Sequence, residues 1–407
     1  MGCTSPLKMQ STVDDIIRAK NILNKRRDKE MNEFQPFEHE VMASQNEKEV
    51  EYNLSESGVH PILLRELIND SPGYLDTLLS TEIDYAHANG NPELRENIAA
   101  LYSGCTSSNV LVTVGAIEAN YNLINTLLQP GDEIAIMLPN YMQIWGIAKN
   151  LGLKINIFHL SEDNGWQVNL DELKQAVTPK TKLVAVCNPN NPTGYILSHA
   201  EMKAIINAAD DVGAWILADE VYRGAERITD EETPSFYGRY DKVMAVGSMS
   251  KAYGLPGLRV GWAVGPTDCI DKIWRRHEYT TLSTSIFSNQ LAALALSANV
   301  RPRIIQRTRN YIQKGFPVLR QWIDQQKDIF HLVPPQAAAI AFLHYQLNVN
   351  STELADKLIQ EKSVLIVPGD HFGMDKFIRI SYGLPQNYLT EGLQRIHQLV
   401  AEIRNNL

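Results

Sequence analysis

Between residues 110 and 264 short apolar runs recur with helical stretches between them, and no other property of the chain restricts its fold as much. The runs, rich in Val, Ile and Leu, span 110–114, 133–137, 154–158, 182–187, 215–218, 243–247 and 259–264, and predict strands. Stretches 117–128, 170–177 and 200–212 have helical composition and fall between several of them. Short buried strands alternating with helices require a mainly parallel sheet covered on both faces, because a parallel strand pair needs a crossover that lies on the sheet. Ligand sites in such sheets gather beyond the carboxyl ends of the strands.

The pattern changes on both sides of this block. After about residue 299 a long helix (301–325) leads to strands at 330–333, 340–345, 364–367 and 377–381, with a helix near 352–361 and a closing helix from Tyr388. This predicts a compact α+β unit of 299–407 that joins with 51–70 as a smaller domain, against a large domain of 71–298. The first fifty residues are polar; Ile16, Ile17, Ile22 and Leu23 make one apolar stripe running into Lys25-Arg26-Arg27, the texture of a helical arm and not of a core.

Composition excludes several classes. At 407 residues, 44% apolar and 21% charged, the chain has the balance of a soluble globular protein. A net charge of −9 argues against nucleic acid as a partner. Cys3, Cys105, Cys187 and Cys269 are scattered, without the paired spacing of a zinc site or a disulfide framework, so no metal and a reducing, cytoplasmic setting are expected. No run is long enough for a membrane span. Met-Gly-Cys at the start is not a myristoylation signal, since Pro6 stands where Ser or Thr is needed.

Five constellations carry chemistry. In Ser248-Met-Ser-Lys-Ala-Tyr-Gly-Leu-Pro-Gly-Leu-Arg259, Lys251 is a candidate nucleophilic amine, provided that burial lowers its pKa. Ser248, Ser250 and Arg259 offer hydroxyls and a planar cationic fork suited to a phosphate. Asn188-Pro-Asn-Asn-Pro-Thr-Gly194 is a sharp turn after a strand and can project Asn191 into a pocket; taken alone it is equally an ordinary turn. Leu217-Ala-Asp-Glu-Val-Tyr222 ends a strand in Asp219, whose carboxylate inside a sheet is costly unless paired, with Tyr222 close behind. A protonated pyridine nitrogen would pair with it, and so would a helix cap or a surface cation. Thr113-Val-Gly-Ala-Ile-Glu-Ala119 passes from strand to helix at Gly115, leaving the N–H groups of Gly115, Ala116 and Ile117 for an anion. Arg379, inside the apolar strand Phe377-Ile-Arg-Ile-Ser381, needs a bidentate anion, either a substrate carboxylate or an internal partner.

In this order, these segments resemble the fold-type I enzymes dependent on pyridoxal 5′-phosphate, in particular the class I/II aminotransferases, from about Tyr52 to the C-terminus. The resemblance implies the PLP-dependent transferase-like fold, with a mainly parallel seven-stranded sheet sandwiched by helices and a smaller α+β domain. It implies that Lys251 binds the cofactor covalently and moves the α proton, and that Asp219 keeps the pyridine nitrogen protonated. Asn191 and Tyr222 would bond the ring 3′-oxygen, and Tyr141, in Pro139-Asn-Tyr, would stack on the ring. Gly115, Ala116, Ile117, Ser248, Ser250 and Arg259 would hold the phosphate, and Arg379 with Asn191 the α-carboxylate of a small amino acid substrate. Tyr85 matches a tyrosine that members send to the neighbouring subunit's phosphate, implying a homodimer with shared active sites.

The cofactor motifs leave the reaction open. Where typical members carry a glycine-rich entry segment, this chain reads Asn53-Leu-Ser-Glu-Ser-Gly-Val-His-Pro61. Gly58 keeps a backbone role near the substrate, whereas Glu56 and His60 either cap the following helix or, for Glu56, pair with a cationic substrate side chain. Ser-Gly-Val here is similar to the matching stretch of fold-type I enzymes acting on arginine derivatives, capreomycidine-synthase-like cyclases and arginine oxidases and hydroxylases among them. Transamination from an L-amino acid to a 2-oxo acid is the leading expectation. Oxidation, hydroxylation or cyclisation of a basic amino acid is the alternative. A non-enzymatic regulator would need a DNA-binding segment, and no basic helix-turn-helix precedes Tyr52.

Overall fold

Fourteen strands are distributed over three sheets in the computed structural model, which describes residues 34–69 and 71–405. The stripe from Ile16 to Leu23 lies outside the described residues. In chain order the strands are β1 (Tyr52–Asn53), β2 (Val110–Thr113), β3 (Glu133–Leu138), β4 (Lys154–Ser161), β5 (Gln167–Val168), β6 (Thr181–Cys187) and β7 (Trp215–Asp219). There follow β8 (Val243–Ser248), β9 (Gly261–Val264), β10 (Phe330–Leu332), β11 (Ile340–Tyr345), β12 (Val364–Leu365), β13 (Val367–Pro368) and β14 (Phe377–Ser381).

The large sheet has the order β2-β9-β8-β7-β6-β3-β4-β5. Pairs β3/β4, β3/β6, β6/β7 and β7/β8 are parallel, while β2/β9, β8/β9 and β4/β5 are antiparallel. Seven of these strands match the apolar runs of the sequence. The eighth is β5, a two-residue edge strand that follows the turn at Gly165 and is too short to leave an apolar pattern. Residues of β2, β7, β8 and β9 are almost wholly buried on both faces, as helices on either side require. Fully burying one such Val, Leu or Ile contributes roughly 1.5–3 kcal/mol.

Local chemistry sets the helix ends. His199–Val212 begins with a capping box in which Ser198 and Glu201 exchange bonds, and ends at Gly213, with φ 67°. Ser351–Lys362 is capped by Asn350, whose side chain accepts from the N–H groups of Thr352 and Glu353.

The second sheet is antiparallel, β10-β11-β14-β13, and packs around stacked Phe342 and Phe377, whose ring centroids are 4.7 Å apart. The sequence predicts one strand over 364–367, but the backbone divides it. β12 pairs in parallel with β1, and β13 turns to pair with β14. From β1 the chain stays on this layer: Leu54 N–H donates to Leu365 O (2.8 Å), and its carbonyl accepts from Ser381 N–H (2.8 Å). Segment 54–62 is thereby laid across to the loop after β8, where Ile62 N–H donates to Gly254 O at 3.0 Å.

Candidate active site

Strand direction explains why residues far apart in sequence meet. The parallel strands β3, β6, β7 and β8 end along one edge of the large sheet. Because β9 runs against β8 and β2 against β9, β2 also ends there and β9 begins there. Gly115 therefore follows β2, Tyr141 follows β3, Asn191 follows β6, Asp219 closes β7, Lys251 follows β8 and Arg259 precedes β9, all at that edge. Ala116, Ile117, Tyr141, Asn191, Asp219, Tyr222, Ser248, Ser250, Lys251 and Arg259 line one cavity of about 390 Å³, joined by Arg379 from β14 and by Glu56.

At the centre, burial pushes the Lys251 amine below its ordinary pKa, partly opposed by the Glu56 carboxylate. That leaves a larger neutral fraction, as a nucleophile or base requires. Burial raises Asp219 from 3.8 to about 6, against the pull of the Val221 N–H, the Asn120 amide and Lys251. Val221 N–H lies 3.3 Å from Asp219 Oδ1, and Asn120 Nδ2 lies 3.4 Å from Oδ2. Burial likewise holds the Tyr222 hydroxyl well above its usual range, so it remains a donor.

The phosphate candidates form a cradle at the start of helix Gly115–Leu127. Gly115 has φ 74°, a backbone conformation that calls for glycine, and the space is also tight: a Cβ there would stand 2.7 Å from Arg259 Nη2. Gly261 is required for space, since a Cβ would stand 2.3 Å from Ala116 N. Arg259 Nη1 donates to Pro256 O at 3.0 Å and reaches Ser250 Oγ at 3.5 Å, while Ser250 N–H donates to Ser248 Oγ at 2.9 Å. Glu118, one turn along, accepts the Val114 N–H at 2.6 Å, leaving the next N–H groups to face the cradle.

Arg379 is 1% exposed; Nη1 donates to Asn191 Oδ1 at 2.8 Å and Nη2 to Ser55 O. Its buried Nε has no protein partner, which suits an incoming carboxylate. Gly58 packs behind the cavity, where a Cβ would stand 3.0 Å from Ser250 O. Glu56 is exposed at the cavity's mouth. His60 is exposed beside Tyr311, away from the cavity. Tyr85 is 80% exposed and does not line the cavity of its own chain.

Several lining residues had no signal in the sequence. Asn120 and Gln143 form a relay under Asp219, Asn120 Nδ2 to Gln143 Oε1 at 3.2 Å and Gln143 Nε2 to Ile117 O at 2.6 Å. Helix Glu38–Asn46 and its C-cap residue Glu47 bring His39, Glu40, Ala43 and Glu47 to the wall, so the end of the predicted arm belongs to the site. Tyr141 OH donates to Glu40 Oε1 at 2.7 Å.

The family model for aminotransferase class I and II matches residues 78–396, and the chain belongs to this family. It is a pyridoxal-phosphate-dependent enzyme of the aminotransferase fold. Capreomycidine synthase of Streptomyces vinaceus is 29% identical over 352 residues, covering 85% of this chain and 89% of that protein. An aspartate aminotransferase of Streptomyces avermitilis is also 29% identical, over 79% of this chain and 82% of its own length. Among solved structures, a PLP-dependent aminotransferase from Streptococcus suis 89-1591 superposes with a TM-score of 0.85 at 29% identity, covering 91% of this chain and 99% of that one. The PLP-dependent cyclase OrfR reaches 0.81 at 26% identity, covering 92% and 98%. The cradle closed by Gly115 and Arg259, the orphaned Nε of Arg379 and the buried amine of Lys251 all fit the cofactor and an amino acid carboxylate.

Proposed function

We propose that the chain is an aminotransferase that moves the α-amino group of an L-amino acid to a 2-oxo acid. The observation that carries this reading is the single cavity where Lys251, Asp219 and Arg379 converge from three parts of the fold. When bound, pyridoxal phosphate supplies the electron sink for the bond broken at the substrate α-carbon. Gly115, Ala116, Ile117, Ser248, Ser250 and Arg259 would hold its phosphate. Asp219 would favour a protonated ring nitrogen, and Asn191 and Tyr222 would be the hydrogen-bond partners of the ring oxygen. Arg379 would receive the substrate carboxylate at its unpartnered Nε, orienting the α-carbon. Lys251 Nζ would take the proton from that carbon and hold it within the cavity for return.

Tyr85, exposed on its own chain, reaches the phosphate site of a second subunit in a homodimer. A second reading is cyclisation or oxidation of a basic amino acid. It is supported by three carboxylates on the cavity wall besides Asp219, namely Glu40, Glu47 and Glu56, and by the similarity to capreomycidine synthase. Incubation with ¹⁵N-labelled amino acids and a 2-oxo acid separates the two. Label recovered in the acceptor's new amino group is expected; oxygen uptake or a rearranged product from arginine, with unlabelled acceptor, would contradict transamination.

A further inference from the structure

We propose that Glu40 is a positioning residue for Tyr141, and that through this contact the helix Glu38–Asn46 sets how firmly the cofactor is held. The inference rests on the reading that Tyr141 lies against the cofactor ring. Residues 39, 40, 43 and 47 fall within about 100° of arc on an α-helix, so one face of the helix meets the cavity. That face has no apolar stripe to seat it. Its anchors are instead specific contacts.

Glu40 Oε1 accepts the Tyr141 hydroxyl at 2.7 Å, a charge-assisted bond. Phe37, just before the helix, packs edge-on to the Tyr141 ring at 5.0 Å, and His39 does so at 6.2 Å. His39 is 8% exposed and also touches Phe372, at 5.9 Å between centroids. Tyr141 is therefore gripped at its ring by Phe37 and His39 and at its hydroxyl by Glu40, all within four consecutive residues. Burial and the Glu40 carboxylate both hold its hydroxyl well above the usual phenol range, so the proton stays on Tyr141 and the bond has one fixed direction. Loss of the carboxylate strands a buried hydroxyl, which favours a rotated ring or an unseated helix.

Cofactor dissociation constants are measured by titrating pyridoxal phosphate into cofactor-free wild type, Glu40→Ala, Glu40→Gln, Tyr141→Phe and the Glu40→Ala/Tyr141→Phe double variant. Each of Glu40→Ala and Tyr141→Phe should weaken binding roughly ten-fold, the scale of one hydrogen bond to a charged group. The double variant should be no weaker than the worse single one, and Glu40→Gln, whose amide oxygen still accepts, should stay near wild type. Wild-type affinity in Tyr141→Phe, or a double variant roughly a hundred-fold weaker, would overturn the proposal. Limited proteolysis of the cofactor-free proteins gives a second readout: cleavage within 34–50 should rise equally in both single variants, and unchanged cleavage in Tyr141→Phe counts against it. If wild type fails to bind the cofactor at all, the parent reading falls; if it binds and Tyr141→Phe is unaltered, this inference alone falls.

Discussion

Asp219 closes β7 with 4% of its surface exposed, and its nearest donors are a backbone N–H and an amide at 3.3–3.4 Å, too long to compensate a buried charge. Its folded pKa near 6 lies above the ordinary 3.8, so the stability linked to its protonation is complete below pH 3.8 and is lost as pH rises through 6. A cationic ring nitrogen beside it would reverse this by stabilising the carboxylate. In cofactor-free protein, Asp219→Asn should therefore gain stability relative to wild type as pH rises from 4 to 7, by on the order of 2–3 kcal/mol, in thermal melts across that range. Cofactor affinity of the same variant should fall. A stability gap that does not change with pH would mean that Asp219 is already paired. Asp219 could be picked from the sequence because an acid at the end of an apolar strand is conspicuous. Asn120 and Gln143 could not, since polar residues on a helix signal exposure unless the fold turns them inward.

At the scale of elements, helix Gly115–Leu127 does two things at once. Its first turn faces the cradle, and Glu118 within that turn ties it to the segment after helix Thr267–His277. Glu118 accepts from His277 Nδ1 at 2.9 Å, from Thr281 Oγ1 at 2.7 Å and from Thr280 Oγ1. Burial works to raise its pKa, but His277, Thr280, the Val114 N–H and Thr281 outweigh that and hold it at about 2. The lowered pKa means that this stability is full above 4.5 and is lost as pH falls towards 2. Glu118→Gln should cost roughly 1–3 kcal/mol at pH 7, the penalty for a buried group losing charge-assisted bonds. In paired thermal melts the difference should shrink as pH falls below 4.5; a constant difference would assign the cost to packing. The sequence revealed the strand-glycine-helix passage but not this hub, because His277 and Thr280 lie far along the chain. Helix Glu38–Asn46 escaped for another reason. Its inner face consists of a histidine, an alanine and glutamates, so hydrophobic periodicity carries no information about which side is buried.

At the scale of the molecule, the site exists because two layers meet. The large sheet brings the candidate cofactor residues to one edge, and β14 with segment 54–58 brings Arg379, Ser55 and Glu56 to the same cavity. The alternation of apolar runs made the large sheet readable, since parallel strands buried on both faces are apolar throughout. The pairing of β1 with β12 was not readable: two-residue strands have no period, and their partners are set by the whole fold. The proposed role of Lys251 as the residue that binds the cofactor can be checked without substrate. Protein loaded with pyridoxal phosphate is reduced with borohydride, digested and mapped by mass spectrometry. A phosphopyridoxyl group on Lys251 alone, absent from Lys251→Arg, is the predicted result; a label on another lysine, or none, would contradict it.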